Sequence, residues 1–141
     1  MTPTDIMAEF AKLEDRRRLT ETQLEEWNTR LAGLSIEASK TRAIIKECEA
    51  ILWANGGAGK VVIDGKNEKL REAQFVLAAR EDKALTGAYA DLGLMEANID
   101  AAERAIANFR TVIRGIDYSM QMKIEEFQFL NTPRFYRAIG E

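Results

Sequence analysis

The chain has 141 residues, enough for one domain, and 46% of them are hydrophobic, which excludes a globally disordered protein. The net charge of −3 is spread evenly, so neither half carries the basic footprint of a nucleic-acid-binding domain. The sequence contains no run of about 18 apolar residues, so no membrane span is predicted. The single cysteine and the absence of a signal-peptide-like start favour the cytoplasm.

A long first helix is predicted over residues 4–54. Apolar residues recur at spacings of four and three through seven heptads, which is typical of a helix that packs along one seam. Thr2, Pro3 and Asp5 can form an N-terminal capping box, and Asn55-Gly56 provides the stop. The seam positions are Ile6, Phe10, Leu13, Arg17, Thr20, Leu24, Trp27, Leu31, Leu34, Ala38, Thr41, Ile45, Cys48 and Leu52.

A glycine-rich junction is predicted at 55–66. Val61-Val62-Ile63 reads as a short extended piece. We expect it to pack on Trp53 and on Phe75 or Val76, closing one end of a helical hairpin.

Within this junction, Gly59-Lys60 suggests a phosphate-binding loop. That motif needs glycine where this chain has Ala54, and serine or threonine where it has Val61. We therefore predict no nucleotide site here.

A second long helix is predicted over 67–130, with Asn67 as its N-cap. Its early seam shows a slip of phase near Arg80 to Ala84, which we interpret as a stutter. The early seam positions are Leu70, Ala73 and Leu77, and the later ones are Ala88, Leu92, Met95, Ile99, Ala102, Ile106, Phe109, Ile113, Ile116 and Met120.

A stripe of small residues runs beside this seam, at Ala90, Gly93, Ala97 and Ala101. One interpretation is that a further helix packs there, from the end of this chain or from another copy. The other is that alanine simply favours helices. The sequence does not decide between them.

The lengths of the two helices predict an overhang. Residues 6–54 and 67–115 are equally long, so an antiparallel pair would come level near Gly115, with facing residue numbers summing to about 121. The apolar face beyond that point would need a bend at Gly115 or another subunit to cover it, and we favour a homo-oligomer. The predicted oligomerisation residues are Ile116, Met120, Phe127 and Leu130.

After Thr132-Pro133, a short terminal helix is predicted over 133–139. Phe135, Tyr136 and Ile139 would form one face of it. That face would either dock on the bundle or anchor a partner protein.

The residues needed for catalysis are scarce. Histidine is absent, which removes the commonest general base and metal ligand. Cys48 lies on the seam, where a buried small hydrophobe is expected. We predict no catalytic, cofactor-binding or metal-binding residues, and no enzymatic activity.

The densest basic run is Arg16-Arg17-Arg18. Arg17 falls on the seam, where a buried charge needs a partner, and the level hairpin predicts Glu103 or Asp100. The flanking arginines could form a modest basic patch for DNA backbone or an acidic partner, although acidic neighbours dilute it. This candidate partner-binding set is Arg16, Arg18, Arg104, Arg110 and Arg114.

The segment Lys66-Asn67-Glu68-Lys69-Leu70-Arg71-Glu72-Ala73, with Glu81-Asp82 and Tyr89 after it, resembles small helical proteins of phages and prophages. In those proteins an Asn-Glu-x-x-Arg element opens the second of two long helices. The resemblance covers roughly 60–114 and implies a phage-type accessory protein; it carries over no catalytic residue to this chain. The glycine-rich junction and the segment after Gly115 depart from that pattern.

The sequence thus predicts an all-α, coiled-coil-like helical hairpin that oligomerises and binds a protein partner. One alternative is a DNA-binding accessory factor in phage recombination or replication, and another is a structural virion component. An oligomer that encloses a small anionic ligand is the least favoured interpretation.

Overall fold

The computed structural model describes residues 2–132, which contain three helices and one two-stranded sheet. Within this range, no helix combines the length and apolar character needed to cross a bilayer. The all-α class is confirmed, with the sheet as a minor addition. In chain order the elements are α1 (Pro3–Ala54), β1 (Gly57–Ala58), β2 (Val61–Val62), α2 (Glu68–Glu81) and α3 (Lys83–Asn131).

The contacts between residues group the chain into two compact units. Unit 1 comprises Met1–Thr29 and Ala102–Glu141, and unit 2 comprises Arg30–Ala101. Helices α1 and α3 each contribute a segment to both units, whereas the sheet and α2 belong to unit 2 alone.

The N-terminus of α1 carries the predicted capping box. The Asp5 amide donates to Thr2 Oγ1 at 3.2 Å, and the Thr2 amide donates to Asp5 Oδ2 at 3.0 Å. The hydrogen bonds from Thr2 lower the pKa of the Asp5 carboxyl. Two amides that the first helical turn leaves without partners are satisfied in this way.

The predicted seam of α1 is confirmed by burial. Ile6 is 1% exposed, Ala38 0% and Leu52 2%, while Leu24 and Leu31 are half-buried. The polar seam residues are accommodated locally or across the seam. Thr20 Oγ1 donates to the Arg16 carbonyl at 2.8 Å, and Thr41 Oγ1 contacts Met95 Sδ at 3.5 Å.

The junction turns sharply because three glycines adopt positive φ. Gly56 has φ 70°, Gly57 φ 138° and Gly59 φ 57°. Gly57 pairs with Val62 in the sheet, and a Cβ on Gly57 would lie 2.1 Å from the Val61 carbonyl oxygen. Only glycine fits there, since a side chain would collide with the neighbouring strand.

In unit 2, an aromatic pair packs α2 against the end of α1. The Trp53 and Phe75 rings lie 4.8 Å apart and are inclined by 4°. Of the three residues predicted to pack here, Val61 and Ile63 lie against the unit 2 core beside Phe75, whereas Val62 is 58% exposed; Val76 is also exposed, at 50%. The buried core here consists of Ile45, Leu52, Ala78, Ala79 and Leu85.

The prediction of one continuous helix over 67–130 is wrong, because the chain breaks at Asp82. This residue is extended (φ −85°, ψ 106°), and its Oδ1 accepts from the Leu85 amide at 3.1 Å, which caps α3. The predicted early seam is wrong too. Leu70 and Leu77 are 47% and 49% exposed, because α2 turns Ala78 and Ala79 inward instead.

In unit 2, α1 and α3 run antiparallel with a clear register. Arg42 Nη2 lies 3.6 Å from Glu96 Oε1, and the Tyr89 hydroxyl donates to Glu49 Oε1 at 2.6 Å. Burial, followed by this hydrogen bond, raises the pKa of Tyr89 to about 12. These contacts pair residues whose numbers sum to 138, not 121.

The predicted register is wrong in unit 1 as well. Arg17 Nε donates to Asp117 Oδ1 at 2.6 Å, so the predicted partners Glu103 and Asp100 are wrong. The break at Asp82 is the physical reason. It removes α2 from the second helix of the pair, so α3 starts about four turns later than predicted and meets α1 in a shifted register.

Candidate protein-binding groove

The predicted overhang beyond Gly115 is absent. Helix α3 continues through Gly115 without interruption, and Lys123 Nζ lies 2.5 Å from Glu9 Oε2 on α1. The first turns of α1 therefore cover the face that we expected another subunit to cover. Ile116 is 3% exposed, and Met120, Phe127 and Leu130 are half-buried within the chain. The uncovered overhang from which we predicted a homo-oligomer therefore does not exist among the described residues.

A groove remains open along the outside of this helix pair in unit 1. It encloses about 520 Å³, a volume within the range of ligand-binding clefts. Met7 and Ile124 are 60% and 39% exposed, although both are large apolar side chains. The lining residues are Ile6, Met7, Phe10, Ala11 and Glu14 from α1, and Lys123, Ile124, Phe127 and Gln128 from α3.

Carboxylates surround the single ammonium at the rim of this groove. Lys123 Nζ lies 3.4 Å from Glu126 Oε2 in addition to its contact with Glu9. The hydrogen bond to Glu9 raises the pKa of Lys123. Glu14, at the other end, pairs with Arg18 at 3.5 Å. Three carboxylates at the rim, Glu9, Glu14 and Glu126, share two cations, Lys123 and Arg18. The carboxylates are in excess, so a further basic group would find an acceptor there.

Both charged residues that line the groove are held in ion pairs. Lys123 contacts Glu9 and Glu126. Glu14 is the other titratable lining residue, and it is held in an ion pair with Arg18. An apolar floor with a few charged groups at the rim is the usual make-up of a peptide-binding groove.

The predicted arginine set does not form one surface. Arg16 and Arg18 are two residues apart, which places them about 200° apart around α1. Arg18 is paired with Glu14 and Asp15 on its own helix. Between them, Arg17 is engaged by Asp117 and Glu21; the hydrogen bond with Asp117 raises the pKa of Arg17 and lowers that of Asp117.

On α3, Arg104, Arg110 and Arg114 are exposed. Arg110 and Arg114 share a face, because they are four residues apart, while Arg104 lies about 120° away from Arg110. Arg114 Nη2 is 3.4 Å from Thr111 Oγ1. DNA binding by these residues stays a prediction, and the geometry does not concentrate their charge.

The tail residues Phe135, Tyr136 and Ile139, with the predicted helix over 133–139, lie outside the described residues. Their predicted role as a partner anchor stays a prediction.

The groove was not predicted from the sequence, because its exposed apolar residues lie beside the main seam and not on it. Met7 and Ala11 lie beside the seam residues Ile6 and Phe10, and Ile124 lies beside Lys123. A second apolar row next to the first was the available signal, since two residues four apart share one helix face.

Comparisons of the chain with protein-family models, with curated proteins and with solved structures find no match.

Proposed function

We propose that this protein is a non-enzymatic protein-binding module whose unit 1 groove receives an amphipathic helix of a partner protein. The observation that carries the proposal is the exposed apolar floor between two helices. Met7, at 60% exposure, is available for contact, and Phe10 and Phe127 lie beside it. Removing such side chains from water is the main source of binding free energy.

The dimensions of the groove favour a helical occupant. The α1 residues from Ile6 to Glu14 span about 12 Å, or roughly two helical turns. A partner helix of that length presents two or three apolar anchors spaced at i, i+3 or i+4, and i+7.

The charges at the rim specify the flanks of that helix. Glu9, Glu14 and Glu126 surround the groove, and their counterions Lys123 and Arg18 come from this chain. A partner with lysine or arginine beside its apolar anchors would add charge-assisted contacts and associate faster at low salt.

An accessory role of the phage type is part of the same proposal. Its support is the sequence resemblance over roughly 60–114, which covers the second strand, α2 and part of α3. The resemblance does not include the groove, so the two lines of support are independent.

Affinity capture of partner proteins, with wild type and two matched variants as bait, tests the proposal. Met7→Glu places a charge on the groove floor, whereas Leu19→Glu changes an equally exposed residue (61%) that does not line the groove. Far-ultraviolet circular dichroism first confirms that both variants are folded.

We expect quantitative mass spectrometry to find a protein that wild type and Leu19→Glu retain and Met7→Glu loses. A synthetic helical peptide from that protein should bind wild type at least about tenfold tighter than Met7→Glu. If every retained protein is indifferent to Met7→Glu, the groove is not the binding site.

A further inference from the structure

One flank of unit 2 exposes large apolar side chains on both helices. Leu94 on α3 is 65% exposed, and Ile44 and Ile51 on α1 are each 52% exposed. In sequence they are adjacent to the half-buried seam residue Met95 and to the buried seam residues Ile45 and Leu52, so they do not lie on the main seam themselves.

All three side chains lie on the same side of the helix pair. The opposite flank is defined by the Arg42–Glu96 ion pair at 3.6 Å. Ile44 follows Arg42 by two residues, and Leu94 precedes Glu96 by two, so each points about 200° away from that ion pair. Ile51 shares the face of Ile44, because it lies one heptad further along α1.

The α3 side of this flank is almost without charge. Over the stretch 87–101 it presents Asp91 as its one charged residue, in a chain of which 30% is charged. The small residues there prove nothing alone, because alanine is the best helix former. The exposed Leu94, Ile44 and Ile51 are the independent observation, since burying them would stabilise a complex.

The residues before and after Leu94 are spaced so that this face can pack against the same face of a second copy. Seven residues before and after it stand Gly87 and Ala101, and a Cβ on Gly87 would meet no atom within 4 Å. Asp91 stands three residues before Leu94, and Asn98 stands four after it. When two such helices cross antiparallel at Leu94, each Asp91 carboxylate comes beside an Asn98 amide that can donate to it.

We propose that the occupant of this flank is a second copy of the chain. The two α3 helices cross antiparallel at Leu94 on a two-fold axis, and Ile44 and Ile51 of each copy close the edges. This is an isologous interface, which closes at two subunits. It is independent of the unit 1 groove.

The available area is sufficient. The α1 segment of unit 2 has 25 residues, which gives about 36 Å of helix, and a pair of helices is about 20 Å wide. The resulting face of roughly 700 Å² is close to the 800 Å² or so that each partner buries in a stable complex.

Sedimentation equilibrium on the full chain tests the dimer. We expect wild type to show twice the chain mass of 15.9 kDa at micromolar concentration. Leu94→Glu brings two like charges together on the axis and removes two buried leucines, which should raise the dimer Kd on the order of 100-fold. Leu19→Glu, with similar exposure, should leave the Kd unchanged.

A cross-linking measurement covers the case in which Leu94→Glu fails to fold. In a Cys48→Ala background, Leu94→Cys should form an intermolecular disulfide under mild oxidation, because a two-fold axis brings the two copies of residue 94 together. Leu19→Cys in the same background should not. A wild-type monomer at about 100 μM, or a dimer that only Met7→Glu dissociates, would overturn the proposal.

Discussion

Leu85 lies at the centre of the unit 2 core, and truncating it offers the sharpest test of the fold. It is 0% exposed and packs with Ile45, Leu52 and the two alanines of α2. Leu85→Ala removes three buried carbons, worth about 2.4 kcal/mol of transfer free energy. The remaining cavity raises the expected loss of unfolding free energy to roughly 3–4 kcal/mol.

Urea unfolding followed by circular dichroism at 222 nm measures this loss. Leu19→Ala is the matched control, because the same atoms are removed from a side chain that is 61% exposed, and we expect a change within about 0.5 kcal/mol. If Leu85→Ala costs less than about 1 kcal/mol, or if the control costs as much, the packing of α2 and α3 on α1 described for unit 2 is incorrect.

Three further predictions concern glycines and titrating groups. Gly57→Ala should destabilise the protein through collision with the Val61 carbonyl, whereas Gly33→Ala, in an open helical site, should stabilise it by about 0.5–1 kcal/mol; thermal unfolding distinguishes the two. Asp117→Asn should lower stability more at neutral pH than at about pH 2. The folded-state pKa of Asp117 is depressed, so its contribution is complete above the ordinary aspartate value and is lost as pH falls through the depressed one. Equal losses in urea unfolding at both pH values would contradict that linkage. Tyr89→Phe should abolish the tyrosine absorbance change that has its midpoint near pH 12. Because the folded-state pKa of Tyr89 is raised, its contribution to stability is complete below about pH 10 and is lost as pH rises to about 12.

Much of the fold could be predicted from local patterns. The capping box at Thr2 and Asp5, the stop at Asn55-Gly56 and the α1 seam all depend on residues close together in sequence, and all three are confirmed. The heptad spacing identified the buried face because each seam position repeats the same geometry relative to the neighbouring helix.

The register could not be predicted, because a tertiary arrangement decides it. No glycine or proline marks the break at Asp82, and the slip of phase there looked like a stutter within one helix. What separates α2 from α3 is the packing of α2 on the sheet and the Trp53–Phe75 stack, together with the Asp82 cap. The break shifts the pairing of α1 with α3. Because the break at Asp82 was not predicted, the predicted partner of Arg17 was wrong as well.

The candidate site was missed for a related reason. We predicted an uncovered apolar surface at the end of α3, but in the observed register α1 covers it. Exposed apolar side chains at the two proposed surfaces instead lie next to the seam in sequence, among them Met7 and Ile124 in unit 1 and Leu94 in unit 2. A one-dimensional heptad pattern assigns residues to a seam, but it does not show which flank stays open.

The ion pair between Glu9 and Lys123 has a practical consequence for handling the protein. It brings the start of α1 and the end of α3 to one end of unit 1, next to the residues that line the groove. A bulky label attached at Thr2, one residue before α1, would therefore crowd that cleft and weaken capture of a partner. The Gly59-Lys60 loop is exposed and contributes no lining residue, so it is the better insertion point for a reporter.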